Sequence, residues 1–176
     1  MQLMTRVKAQ ADNLKAVALV FLTLLLTLAA AAESKAAVST ARQSCIRNAM
    51  AAGSAAIGNQ ARLNRLYENY FAGDKIAQLA AGKDWKRYNS AQKQAQRERV
   101  RRFVVQVLAP NFSYYKGSRI NFVSESGSKV KGVLTGPQGE RRTITWHFSG
   151  ACKFVNVGIA GYGSLIGFVG KETMRK

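Results

Sequence analysis

Between Asn89 and Leu108, apolar side chains recur at Val100, Phe103, Val104, Val107 and Leu108, the i, i+3, i+4, i+7, i+8 spacing of one helical stripe. Lys93, Arg97, Arg99, Arg101 and Arg102 fall before or between those positions and make the other face basic. Asn89 with Gln92 three residues on has the form of a capping box and marks the helix start. Pro110 should kink or end this helix, with Asn111 to Tyr115 as a bent last turn that faces Phe112 and Tyr115 inward and closes at Gly117.

Three helices are expected before it. Ala36 to Ile57 is Ala-rich, with Cys45, Ile46, Met50 and Ile57 as anchors. A second helix from Ala61 places Leu63, Leu66, Tyr67, Tyr70 and Phe71 on one side, and Asp74 to Gly82 forms a third around Ile76 and Leu79. Lys83 to Ser90 is a polar turn that holds Trp85.

After Gly117 the period changes to two. Arg119 to Ser124 places Ile120 and Phe122 on one face, and Lys129 to Leu134 places Val130 and Leu134 on one side of Gly132. Past the turn at Gly136 to Gly139, Ile144, Trp146 and Phe148 alternate with Arg141, Thr143, Thr145 and His147. Cys152 to Ile159 supplies Phe154, Val155, Val157 and Ile159. The pattern predicts an α+β fold, with N-terminal helices packed on a curved, mostly antiparallel C-terminal sheet of about four strands. The Gly-interrupted tail from Tyr162 is the weakest signal, and a short final helix is the expectation there.

The N-terminal region changes the setting of this domain. Arg6, Lys8 and Lys15 precede the apolar run Ala16 to Leu28, and Ala29 to Ala32 follow, the layout of a secretory signal cleaved after Ala32. The run is short for a bilayer span. The expected organisation is a signal peptide over residues 1–32 and one domain over residues 33–176, exported to the periplasm. The full chain carries 27 basic and 9 acidic residues, a net +18; without residues 1–32, 24 and 8 remain, a net +16. Such a field favours anionic partners. It is also the electrostatic footprint of nucleic-acid binding, but the export signal argues against nucleic acid as a partner.

Cys45 and Cys152 are the two cysteines, and in an exported chain an even count invites a disulfide, although two separately buried thiols remain an alternative. Catalytic chemistry is sparse. His147 is the sole histidine and reads as a residue on a polar strand face, no zinc-ligand spacing occurs, and the carboxylates are scattered. Gly161, Gly163 and Gly167 do not form a phosphate-cradling fingerprint. An enzyme is not expected, nor is a metal or cofactor.

What the chain does offer is aromatic and aliphatic surface on both layers, from Trp85, Phe103, Phe112, Ile120, Phe122, Trp146, Phe148 and Phe154. It serves either a filled core or an apolar cavity between splayed layers, and sequence alone leaves both open.

Several segments match a known pattern in order. Asp74-Lys-Ile-Ala-Gln-Leu-Ala-Ala-Gly82 with Trp85, then Ser90-Ala-Gln-Lys-Gln94, Phe103, Tyr115-Lys-Gly117, and Phe154-Val-Asn-Val-Gly-Ile-Ala-Gly161 leading to Ser164-Leu165, together resemble the MlaC, or toluene-tolerance auxiliary, family. The resemblance spans roughly Leu63 to Leu165. Asn156 stands where the family usually has Asp, and Gly170 where its last helix usually carries Arg.

The resemblance implies a periplasmic phospholipid shuttle. Such a protein carries acyl chains in an apolar pocket between an outer-membrane lipoprotein complex and an inner-membrane ABC transporter bearing an MCE-domain protein. From face and period, the expected lining is Trp85, Phe103, Val107, Phe122, Trp146 and Phe154, with Arg101, Arg102 and Lys131 on an anion-binding rim. The alternative is a cationic periplasmic adaptor with a filled core, binding acidic proteins or lipopolysaccharide through the Lys93 to Arg102 face.

Overall fold

Alanine-rich and amphipathic stretches form the helical layer. The fold comes from a computed structural model that describes residues 36–108 and 116–173. The export signal expected at residues 1–32 lies outside the described residues, as do Pro110 and the bent turn expected over Asn111 to Tyr115. Helix α1 is Thr40–Ala56, α2 is Gln60–Tyr70, α3 is Gly73–Ala81, and a 3-10 turn, Gly82–Lys86, leads to α4, Ser90–Arg102. A π-helical segment, Phe103–Leu108, continues α4, and helix α5, Leu165–Thr173, follows the sheet.

The capping box at the start of α4 forms in both directions. Gln92 N donates to Asn89 Oδ1 and Asn89 N donates to Gln92 Oε1, each at 2.9 Å. Asn59 caps α2 in one direction only, its side chain accepting from Arg62 N at 3.0 Å. Along the central stripe the structure departs from a regular helix. Val100, Phe103 and Val104 are buried as expected, but Val105 is buried too and Val107 is exposed. The π turn is the reason: its i→i+5 pairing advances each residue by a smaller angle, so three consecutive side chains face inward. Leu79 and Ile57, expected as anchors, are also exposed.

Among the described residues, five strands form one antiparallel sheet in sequential order: β1 Arg119–Ser126, β2 Lys129–Thr135, β3 Arg141–Ser149, β4 Lys153–Ile159 and β5 Gly163–Ser164. The fifth, two residues long, arises because the tail folds back on the end of β4, pairing Gly158 with Ser164. Ile144, Trp146 and Phe148 occupy the buried face of β3, and Val130, Gly132 and Leu134 that of β2.

Two bulges bend this sheet. The register of β1 against β2 slips between Phe122 and Ser124, leaving Val123 exposed. That of β4 against β3 skips Val155, so that Phe154 and Val157 pair with the inward residues Phe148 and Trp146 despite their opposite parity. An extra residue on one strand of a pair kinks and twists it.

The layers are tied at several points. Cys45 on α1 and Cys152 in the β3–β4 turn form a disulfide with Cα atoms 5.6 Å apart. Ala72 N, between α2 and α3, donates to Phe154 O at 2.9 Å, and Glu125 N donates to Ala36 O at 3.1 Å. Glu125 also accepts from Ser39 N at 2.7 Å and pairs with Arg42 at 3.8 Å, while the Arg42 guanidinium lies 4.0 Å from the Phe148 ring centre.

Candidate functional site

The curved sheet and the helices above it enclose a cavity of about 560 Å³. Helix α1 contributes Ile46, Ala49 and Met50, α2 contributes Leu66, and Phe71 follows at its end. The π segment contributes Phe103 and Val107. The sheet supplies the floor through Leu134, Ile144, Trp146, Phe154, Val157 and Ile159. Phe71 meets Phe154 edge to face with centroids 5.6 Å apart, and the Phe154 and Phe148 rings lie 5.1 Å apart. Aromatic pairs in this range of geometry stiffen one end of the chamber.

Glycine shapes the floor at one place. A side chain on Gly132 would come within 3.0 Å of the Trp146 ring and 3.2 Å of the Asn121 carbonyl. Its absence lets the indole approach the β2 backbone, where a larger residue would displace it.

The opposite end opens to solvent, because lining residues there are also exposed: Val107, Glu140, Arg142, Tyr162 and Phe168. Phe168 of α5 stacks on Phe103 with centroids 6.0 Å apart. Ser118, at the entry to β1, completes the polar part of the wall. The Arg142 guanidinium sits over the Tyr162 ring, 4.5 Å from its centre. The chamber is therefore apolar in depth and polar only at its mouth.

Four of the six residues expected as lining, Phe103, Val107, Trp146 and Phe154, stand in this wall. Trp85 does not. It is half-buried in the 3-10 turn beside Tyr88, with Lys93 and Arg97 near its ring face. Phe122 lies on the inner face of β1 opposite Gly132 and packs beside Trp146, centroids 6.4 Å apart, but it is not part of the cavity wall.

The expected rim residues also lie elsewhere. Arg101 donates to Glu98 and, through Nη1, to Asn64 at 2.8 Å, which ties α4 to α2. The hydrogen bond between Arg101 and Glu98 is the main cause holding the Glu98 carboxyl below its usual pKa and the Arg101 guanidinium above its own. Arg102 is exposed and outside the wall, and Lys131 projects from the outer face of β2, out of phase with Val130 and Gly132. Arg142 was missed although its signal was present: it shares the period-two phase of Ile144, Trp146 and Phe148 and pairs with inward-facing Leu134. A charge in the phase of a buried row marks either the row's end or a site.

Two titrating groups lie away from the cavity mouth. Burial, reinforced by Asp74, pushes the Tyr67 phenol up to about 12. His147, on the outer row of β3 opposite Lys129, has its pKa lowered first by burial and then by that lysine's charge.

The sequence model of the MlaC protein family matches residues 38–166. The chain belongs to the MlaC family. Comparison with curated protein sequences gives no match. Among solved structures, the fold is similar to that of a phospholipid-binding protein from Ralstonia solanacearum, solved in complex with a phospholipid. That likeness has a TM-score of 0.62 and 13% identity over 78% of this chain and 85% of the other.

In this MlaC-family chain the segment from Asp74 to Trp85 builds α3 and the 3-10 turn, where Ile76 and Ala77 are fully buried. Asn156 keeps a structural role, since its Oδ1 accepts from Ile166 N at 3.1 Å, and Ser164 Oγ accepts from Gly167 N at 3.3 Å. Two orphan donors of the first turn of α5 are thereby satisfied. Among the described residues no helix is long and apolar enough to cross a membrane.

Proposed function

We propose that this protein binds phospholipid in the periplasm and carries it, acyl chains buried in the cavity, between an outer-membrane lipoprotein complex and an inner-membrane ABC transporter bearing an MCE-domain protein. It acts by binding and transport, not catalysis. One observation carries the reading: a chamber of about 560 Å³, walled by aliphatic and aromatic side chains and polar only at its opening. This size falls within the range of about 300–1,000 Å³ common to small-ligand pockets. Each acyl methylene moved from water into such a wall stabilises the complex by about 0.8 kcal/mol. Family membership and the phospholipid-bound relative of the same fold support that cargo. The chamber weighs against the filled-core adaptor, although the basic residues of α4 remain a surface suited to acidic partner proteins.

The test is native mass spectrometry of protein purified from the periplasm without detergent, with organic extraction of the same sample. A mass excess that extracts as phospholipid is the expected result. An apo mass, empty extracts and failure to load from phospholipid vesicles would overturn the proposal. Transfer is checked separately, by following labelled lipid from loaded protein to the MCE-domain protein.

A further inference from the structure

The cavity mouth holds a cation placed as if for a ligand. Arg142 begins the inward row of β3, so its side chain starts from the apolar floor and reaches the opening. The guanidinium rests on Tyr162, an arrangement that restricts its rotamers before any ligand arrives. Among the described residues it makes no ion pair; the pairs present there join acids to Arg42, Arg87, Arg97 and Arg101. Glu140 lines the same opening and yet forms no salt bridge with it.

A guanidinium offers five donors in a planar fork, suited to the two free oxygens of a phosphodiester. Behind it lie only apolar walls. The matching ligand has one anionic group at the boundary between a polar head and hydrocarbon tails.

Resting on the carrier reading above, we infer that Arg142, held over Tyr162, is the anchor for the phosphate of the bound lipid. The anchor sets the depth at which the tails stop, and it makes the protein select phosphate-bearing lipids over neutral ones with the same tails.

The experiment is displacement of Nile red, an uncharged dye, from purified full-length mature protein. The competitors are a lysophosphatidylglycerol and a monoacylglycerol with the same acyl chain. Wild type is expected to bind the phosphate-bearing lipid roughly tenfold more tightly, the scale of one charge-assisted contact. Arg142→Gln and Tyr162→Ala bring that ratio toward one, with monoacylglycerol affinity measured in each variant as the reference, and Arg142→Lys keeps part of it. An equal ratio in wild type, or an undiminished ratio in Arg142→Gln, overturns the anchor. Failure of wild type to take up the dye and both lipids sinks the carrier reading instead. Glycerol 3-phosphate, a head without tails, should compete only weakly; competition equal to the lysolipid's would mean a site for free phosphate and would also overturn the proposal. Arg142 is exposed and bears no ion pair among the described residues, so its variants should keep the wild-type melting temperature and circular dichroism.

Discussion

Removing the Cys45–Cys152 bridge should lower stability and loosen the cavity together. The bond joins residues 107 apart in sequence. In the chain-entropy account, closing a loop of that length restricts the unfolded ensemble by about 4–5 kcal/mol. Cys45 is buried, so Cys45→Ala with Cys152→Ala also deletes some core contact, on the order of 1 kcal/mol. A urea slope of about 2 kcal/mol/M is ordinary for a domain this size, which places the expected drop in midpoint at about 2.5–3 M.

The functional consequence follows from position. Cys45 immediately precedes Ile46, and Ile46, Ala49 and Met50 form the α1 part of the cavity wall. The assay is urea unfolding of oxidised wild type and the double alanine variant, with Nile red uptake measured on both in the absence of urea. A midpoint shift under about 0.5 M at unchanged slope would refute the loop-closure reasoning. A full stability loss with undiminished dye uptake would show that α1 is held over the sheet by packing alone.

Other contacts make equally specific predictions. Gly73→Ala would drive its Cβ into the Tyr67 hydroxyl; a loss of about 1–3 kcal/mol is expected in urea unfolding, partly recovered with Tyr67→Phe. Asn89→Ala removes half of the capping box and should cost about 1 kcal/mol by the same measurement, without changing dye uptake. Because the folded state lowers the His147 pKa from 6.5, the unfolded chain binds the proton more tightly. This contribution to stability is present above pH 6.5 and is lost as pH falls through the folded pKa. His147→Gln should therefore flatten the fall in urea midpoint between pH 7.5 and 5, and an identical slope with pH in both proteins would remove His147 as the cause.

The start of α4 was legible because a capping box is local: Asn89 and Gln92 satisfy each other's backbone within one turn, whatever the rest of the chain does. The inward rows of β2 and β3 were legible for a related reason. A strand has only two faces, and residues such as Ile144, Trp146 and Phe148 specify which one is buried. The same rule contained Arg142, passed over because a charge in an apolar row was not read by its phase.

Other features depend on neighbours far along the chain. The bulge at Val155 turns Phe154 and Val157 to one face, contrary to strict alternation. The π segment buries Val105 and brings Val107 to the opening, contrary to a regular helical stripe. Phe122 and Trp85 carry the same apolar signal as Trp146, yet neither is part of the cavity wall. Sequence alone determined the two layers and which faces meet, because side-chain period and local hydrogen bonds act over a few residues. Whether those faces close on one another or stand apart around a chamber was decided by the tertiary structure, since the gap depends on the two sheet bulges, an indole close against Gly132 and a helix fixed by a disulfide, each joining residues remote in sequence.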